Sequence, residues 1–397
     1  MAQLNKFYQA FAKVQHRREV LIGRRSKDER DCFCNIVTSL SSRQCHDARD
    51  RIYSLWSMAP SFYKDCPLDY AIPEGVVFTS VFECMLREAK LSRGHLNNFL
   101  GWGIDYRVLQ WMNFGPDSTN VNCRPSWVPD FSKSWSHEAL HAHQGRIGFS
   151  KLYQPSGWSR GYVKVQGRQL HLKGFPMDKV RVVGKTVDDP TSPESLKKAL
   201  SQWSCLLRES GFADKTTDVT FHEQLATLLC ANIVAERMPD DQFAAWRRTF
   251  VAQRIWKVNI LATIFEYAFN VIARSEHSRR LRAEECPGKQ ELKAVINTGD
   301  LKCFSDGRYR SAVSSSLNQR ALYITDRGRI GLCLPQATTG DEIWGVYGFR
   351  VPFVFRASDG SGESRVHNMI GDCYLQGAMD GELLPPRGRG STVVKLV

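Results

Sequence analysis

The sequence predicts an α+β protein: a helical N-terminal region followed by a mostly antiparallel β domain that a helical insertion splits in two. Three observations predict it. Apolar residues recur at helical spacing through about the first 110 residues. They alternate from about residue 161 to 184 and again from 321 to 376. Between those blocks, over about 192–282, the helical period returns. Either β-rich block alone is too short to close a core, so the two are expected to rejoin in one structure. The expected layout is a helical region over 1–155, a β domain over 156–384 and a flexible tail over 385–397.

The helical region has four candidate elements. Leu4, Phe7, Tyr8, Phe11 and Val14 lie on one helix face, and Phe33, Ile36, Val37 and Leu40 on another. A third helix is expected from Asp47, a good N-cap residue, through Ile52, Tyr53, Leu55 and Trp56 to a stop at Pro60. A fourth follows Pro73 and carries Val76, Val77, Val81, Phe82 and Met85. From about Leu91 the chain reads as loop, ending in RPSWVPDFSKSW at 124–135.

Tyr162 to Gln166, the Gly167 turn and Leu170 to Lys173 read as strand, tight turn and strand, and Val180, Val182 and Val183 continue the β character. In the insertion, SPESLKKALSQWSCLLRES carries a capping signature at Ser192, although the box lacks its Glu. Further helices are expected near 219–237, 240–253 and 256–273. ALYIT-DRG-RIGLCL then reads as a hairpin with Gly328 in the turn. The strands EIWGVYG and VPFVFRA follow, then a polar loop at 358–364 and a last strand from Val366 through Leu375. The Gly/Arg-rich tail after Pro385 is expected to be mobile.

Composition narrows the class. At 397 residues, with 21 Phe, 12 Tyr and 10 Trp, the chain can bury a sizeable core without staples. The start shows no apolar signal region, and the most apolar stretch, Val258 to Ala273, is too short for a bilayer and is interrupted by Asn259, Glu266 and Asn270. The 12 Cys show no disulfide-scaffold spacing. A soluble cytoplasmic protein with reduced thiols is the expectation. The net charge of +13 leaves a nucleic-acid partner open, but the basic residues are dispersed. Their denser places, Arg17-Arg18, Arg24-Arg25 and Arg274 to Arg282, match no binding motif and read as solvated faces.

No complete active site can be assembled, and no catalytic, cofactor-binding or metal-ligating residue is assigned. The sharpest rival is HEALH at 137–141. On a helix His137 and His141 would share a face and could hold zinc, with Glu138 as general base. Against it, the next Glu is Glu194, in a separate helix, and the longer form of the motif would need a Gly and a His where Gln144 and Ile147 stand. Cys32-x-Cys34 with Cys45 and His46 has poor zinc spacing and reads as buried thiols. DGSGES at 359–364 lacks the Lys and the setting of a phosphate cradle and reads as a hairpin tip.

Several segments, in order, resemble fungal heterokaryon-incompatibility (HET) proteins in the region that follows their HET domain. DARDRIYSLWSMAP at 47–60 is similar to the Asp-Pro-Arg-Asp-Lys-Ile-Tyr-Ala-Leu block of that family, with Ala48 in the place of Pro. PLDY at 67–70 and the helix after it match a Pro-Asp-Tyr element, and PSWVPDFS at 125–132 a Ser-Trp-Val-Pro-Asp-Trp block with Phe131 in the last aromatic place. Residues 320–356 and GDCYLQGAMDGE at 371–382 resemble the family's C-terminal β segment. The resemblance implies that a TIR-like HET domain, to which the family's cell-death activity is tied, would precede these blocks. Its Ser-Tyr-x-Trp-Gly and Trp-Ile-Asp strings do not occur, and 46 residues precede Asp47, so a chain without that domain is expected. The matching residues read as packing elements: Trp127 and Phe131, flanking Pro129, are expected to plug the junction between helices and strands. The function this implies is a non-enzymatic recognition or regulatory scaffold in vegetative incompatibility. Its partners would be other proteins, HET-family members among them. A basic nucleic-acid-associated protein is the alternative, and a zinc hydrolase comes third.

Overall fold

The computed structural model describes residues 43–59, 68–91, 124–132, 153–157, 161–190, 192–212, 228–232, 308–358, 365–386 and 390–397, with isolated positions between them. Its described elements are α1 (Asp50–Tyr53), α2 (Glu74–Leu91), β1 (Val163–Gln166), β2 (Gln169–Val187), α3 (Pro193–Leu207) and α4 (Arg308–Leu317). These are followed by β3 (Arg320–Thr325), β4 (Ile330–Cys333), β5 (Glu342–Val346), β6 (Phe353–Ala357), β7 (His367–Asp372), β8 (Tyr374–Leu375) and β9 (Thr392–Leu396). The class is α+β. All described strand pairs are antiparallel except β7–β9, which meet in parallel at His367 and Leu396.

β2 organises the sheet. Its 19 residues pair with β1 and β9 at the N-terminal end, with β5 in the middle and with β3 toward the C-terminal end. The β-rich block before the insertion thus shares a sheet with the block after it. The pairs β2–β3, β3–β4, β4–β8, β7–β6, β6–β5 and β5–β2 run in a circle, because β7 and β8 are one line of chain broken at Cys373. The break keeps both ladders going: the Cys373 N–H donates to Pro352 O at 2.9 Å, and the Gln376 N–H to Ile330 O at 3.0 Å. The result is a closed barrel, which leaves no exposed edge around the ring.

Inside the ring sit Phe175, Met177, Tyr323, Ile343, Val354 and Leu375, all buried. The strand period of two turns their neighbours Trp344, Phe353 and Phe355 to the other face. There they join the larger core with Leu170, Leu172, Val394 and Leu396 of β2 and β9. Two glycines make the interior fit. A Cβ on Gly345 would stand 2.5 Å from the Phe175 ring, and one on Gly331 would stand 2.3 Å from the Tyr374 carbonyl and 2.5 Å from the Tyr323 ring. Both glycines admit a large ring opposite, the small-against-large alternation that small barrels need. Gly331→Ala is expected to lower stability by about 3 kcal/mol, since overpacking against backbone cannot relax through a rotamer. Gly328→Ala, at φ 72° in open space, should cost about 1–2 kcal/mol. Urea unfolding of the two variants checks the order.

The helices pack on the barrel's outside. α2 buries Val77, Phe78, Val81, Phe82 and Met85, whereas Val76, expected on that face, is 45% exposed. α3 begins as its capping signature implies: Ser192 Oγ accepts from the Ser195 N–H at 3.4 Å. Ser195 Oγ in turn accepts from the Asp189 N–H at 3.3 Å, ahead of the cap residue, while the Ser192 N–H donates to Asp189 O, so the box stays open on its second side. Trp203 of α3 lies on β2 and donates its indole N–H to Lys185 O at 2.8 Å, over Gly184, whose absent side chain leaves room.

Two expectations need correction, and a third gains detail. The helix expected from Asp47 to Pro60 is α1, four residues long, followed by a 3-10 turn at Trp56–Met58. Asp47 does not cap it directly; its carboxylate accepts from the Arg49 N–H, and Leu55, at φ −105° and ψ 0°, interrupts the helix. The segments 170–173 and 180–183 are one continuous strand, with register shifts near Pro176, Val180 and Val183 in place of chain breaks. The tail expected to be mobile from 385 supplies β9, because Val394 and Leu396 are apolar on alternate positions and bury against β2. The helices expected at residues 4–14, 240–253 and 256–273 lie outside the described residues, as does most of those at 28–40 and 219–237.

Candidate functional site

The HET-like blocks are brought together in space. Arg49 carries the first junction. Its Nε and Nη2 grip Asp47 at 2.9 and 2.7 Å, and its Nη1 donates to the carbonyls of Tyr70 and Ile72 at 2.6 and 2.7 Å. Its guanidinium lies 5.2 Å from the Tyr70 ring centre. Tyr70 donates its hydroxyl to Asp50, and Tyr53 meets the Tyr70 ring edge-on at 5.1 Å while donating to Asp69 O. DARDRIY and PLDY thus form one clamp. The planar fork of Arg49 serves two carbonyls and a carboxylate at once, which a lysine cannot do. Asp47 is held below the usual carboxylate range by that hydrogen bond, and Tyr70 is pushed up by its own bond to Asp50.

The Ser-Trp-Val-Pro-Asp block makes the second junction. Trp127 is fully buried against Phe82 of α2, and its indole donates to Arg168 O in the β1–β2 turn at 3.1 Å. Phe131 meets Phe78 edge-on at 5.3 Å. Ser126 binds both neighbouring strand ends: its Oγ accepts from the Met369 N–H at 2.9 Å, and its N–H donates to Val397 O at 2.8 Å. The aromatic pair therefore does sit at the helix–β junction.

Around the barrel, buried carboxylates each meet a cation. Arg320 and Asp372, both about 3% exposed, pair at 2.6 Å. Asp341 holds Arg356 through two bonds of 2.8 and 2.9 Å. Asp178 meets Arg329 at 3.0 Å. Glu342 takes Arg365 at 2.8 Å, the Trp344 indole at 3.0 Å and His367 Nε2 at 3.3 Å.

His367, aided by Trp344 and Arg365, holds the Glu342 carboxyl down at about 2, against the opposing effect of burial. The folded value lies below the unfolded one of about 4.3, so this group's contribution is full above that pH and lost as pH falls toward 2. Thermal melts of the wild type should therefore drop in midpoint across that window. Glu342→Gln should flatten part of the drop.

The chemistry open to these groups is limited by burial. Desolvation pushes the Tyr323 hydroxyl well up, raises the Cys333 thiol strongly and takes Cys373 to about 12. Buried thiols of that kind stay protonated and are poor nucleophiles. Every guanidinium and carboxylate named above is spent on another part of the fold.

His137, Glu138, His141, Cys32 and Cys34 lie outside the described residues, as do the basic runs at Arg17, Arg24 and Arg274 to Arg282. Cys45 and His46 are described, and among the described residues no group of three or more His, Cys, Asp and Glu could hold a metal. Residues 359–364 also fall outside, but the flanking strands pair at Ala357 and His367, so the segment connects an antiparallel hairpin. Sequence reasoning missed the Arg49 clamp and the Arg320–Asp372 pair. The only signal for the first was that the two blocks occur in order, and for the second there was none.

Comparison with known proteins agrees with this arrangement. Residues 263–390 match the family described as the Het-6 beta-barrel domain. A stretch of 117 residues is 25% identical to heterokaryon incompatibility protein 6, OR allele, of Neurospora crassa; it covers 30% of this chain and 17% of that relative. No solved structure matches. The match begins after β1 and β2 and ends before β9, so one strand of the closed ring, β2, lies outside the matched residues. The family match and the curated relative agree with the ordered HET-like blocks: the chain is similar to heterokaryon-incompatibility proteins, and its residues 263–390 match the Het-6 beta-barrel domain.

Proposed function

We propose that the protein is a non-catalytic recognition or regulatory scaffold in heterokaryon incompatibility, working in the cytoplasm through contacts with other proteins, HET-family members among them. The observation that carries this reading is the use made of the HET-like blocks. Arg49, Asp50, Tyr70, Ser126 and Trp127 all hold one segment of the fold against another. A scaffold needs such rigid joints, because a preorganised surface loses less entropy on binding. Tagged full-length protein should retain itself or HET-family proteins from a co-expressing fungal host. Retention of neither above background refutes the reading.

One observation favours the nucleic-acid alternative. The register places Lys164, His171 and Lys395 in a single row across β1, β2 and β9, with Lys173 in the next row. Partial burial and then the two flanking lysines push the His171 pKa down. The two lysines flank His171 as a row of positive charge across the strands, which suits a polyanion. Binding to single-stranded RNA or DNA at graded salt separates the readings. The alternative predicts a log K slope of about −0.7 per phosphate neutralised, reduced in Lys164→Glu/Lys395→Glu. The scaffold predicts no steep slope.

A further inference from the structure

We infer that Cys66 and Cys84 are a redox-modification site that closes an intramolecular disulfide under a peroxide-class oxidant. The two thiols are reduced and buried, and their sulfurs stand 3.1 Å apart. That is a shift of about 1 Å from the 2.05 Å of a disulfide bond, and it is closer than unrelated side chains usually bring two sulfurs. The surroundings give the two thiols different parts. Cys84 sits inside α2 at 1% exposure, while Cys66, in the segment leading to PLDY, is 6% exposed and also lies 3.5 Å from Ser80 O. Cys66 is the less buried of the two sulfurs and Cys84 stands beside it, which suits an attacked thiol next to a resolving one.

The step balances. The Cys66 sulfur attacks one peroxide oxygen and breaks the O–O bond while its thiol proton passes to the departing hydroxide, which gives a sulfenic acid and one water. The Cys84 sulfur then attacks the sulfenic sulfur, the S–O bond breaks, and the hydroxyl leaves as a second water with the Cys84 proton. Two thiols are oxidised by two electrons and one hydrogen peroxide is reduced. The new bond would tie the start of the PLDY segment to α2. The Arg49 and Asp50 contacts to Tyr70 lie four residues further along the chain, so the oxidation state would set how firmly the clamp is held. Cys333 and Cys373, by contrast, are sealed inside the barrel, and the exposed Cys205 stands on α3.

The experiment treats the folded, full-length protein with hydrogen peroxide, blocks remaining thiols with N-ethylmaleimide at low pH, and maps the digest by mass spectrometry without reduction. The expected product is a Cys66 peptide linked to a Cys84 peptide, two mass units lighter than the separate pair and released by dithiothreitol. Cys66→Ser and Cys66→Ala should each lose the link, and the wild type should gain several degrees in melting midpoint on oxidation where the variants do not. Maleimide on both Cys66 and Cys84 in a sample whose Cys205 has been oxidised would overturn the inference. So would a link joining either residue to a different cysteine.

Discussion

A fragment of residues 300–397 is expected not to fold, although it contains all of the described part of the family match. It lacks β2, which pairs with β3 through Val180 to Val187 and with β5 through Gly174 to Lys179. Two seams of the ring open together, and β3 and β5 become bare edges carrying apolar side chains. Phe175 and Met177 leave the interior as well, and burying an aromatic or Met side chain contributes about 1.5–3 kcal/mol each. Against a typical total of about 5–15 kcal/mol, no folded barrel survives that loss. The fragment should show no cooperative unfolding transition and no slowly exchanging amides. Co-expression with residues 1–212 should restore both, because that piece brings β1, β2 and α3. A fragment that melts cooperatively by itself would show that the ring does not depend on β2.

The same strand explains what could and could not be read in advance. That the two β-rich blocks must meet was legible, because neither had enough strands for a core. That 170–187 is one strand was not: Gly174 and Pro176 punctuate the sequence as a turn would. Only the tertiary arrangement uses them otherwise. At Gly174 a Cβ would meet the Gly345 carbonyl at 2.5 Å, so the glycine admits β5, and Pro176 falls beside a register shift, where its missing N–H costs little. β9 was hidden by its neighbours, since the Gly/Arg stretch before it outweighed five residues of alternating apolar pattern. The capping serine of α3 and the Gly328 turn were legible because their chemistry is local. The Arg49 clamp and the Cys66–Cys84 pair join residues about 20 apart through segments with no regular period, so nothing in the spacing announced them.

Asp372→Asn is expected to destabilise the protein by about 3–5 kcal/mol, the usual cost of leaving a buried charge without its partner. Arg320 starts β3 and reaches across the end of the barrel. Its Nη2 holds the Asp372 carboxylate at 2.6 Å, and its Nη1 donates to Asp372 O at 3.0 Å and Leu332 O at 3.3 Å. One side chain thus joins β3 and β4 to the point where β7 gives way to β8, at the break the ring must bridge. Asparagine keeps the shape but removes the negative charge, and the guanidinium cannot lose its proton to escape. Arg320→Met should cost a similar amount for the opposite reason, because it removes the cation beside the buried carboxylate and the guanidinium donor of two carbonyls. The double variant Arg320→Met/Asp372→Leu should recover most of the loss, since two apolar side chains need no partner. Chemical denaturation of all three, read as a double-mutant cycle, measures the coupling. If the effects of the two single changes simply add in the double variant, the pair is not acting as a unit, and the joint between β7 and β8 must be held by the backbone ladders alone.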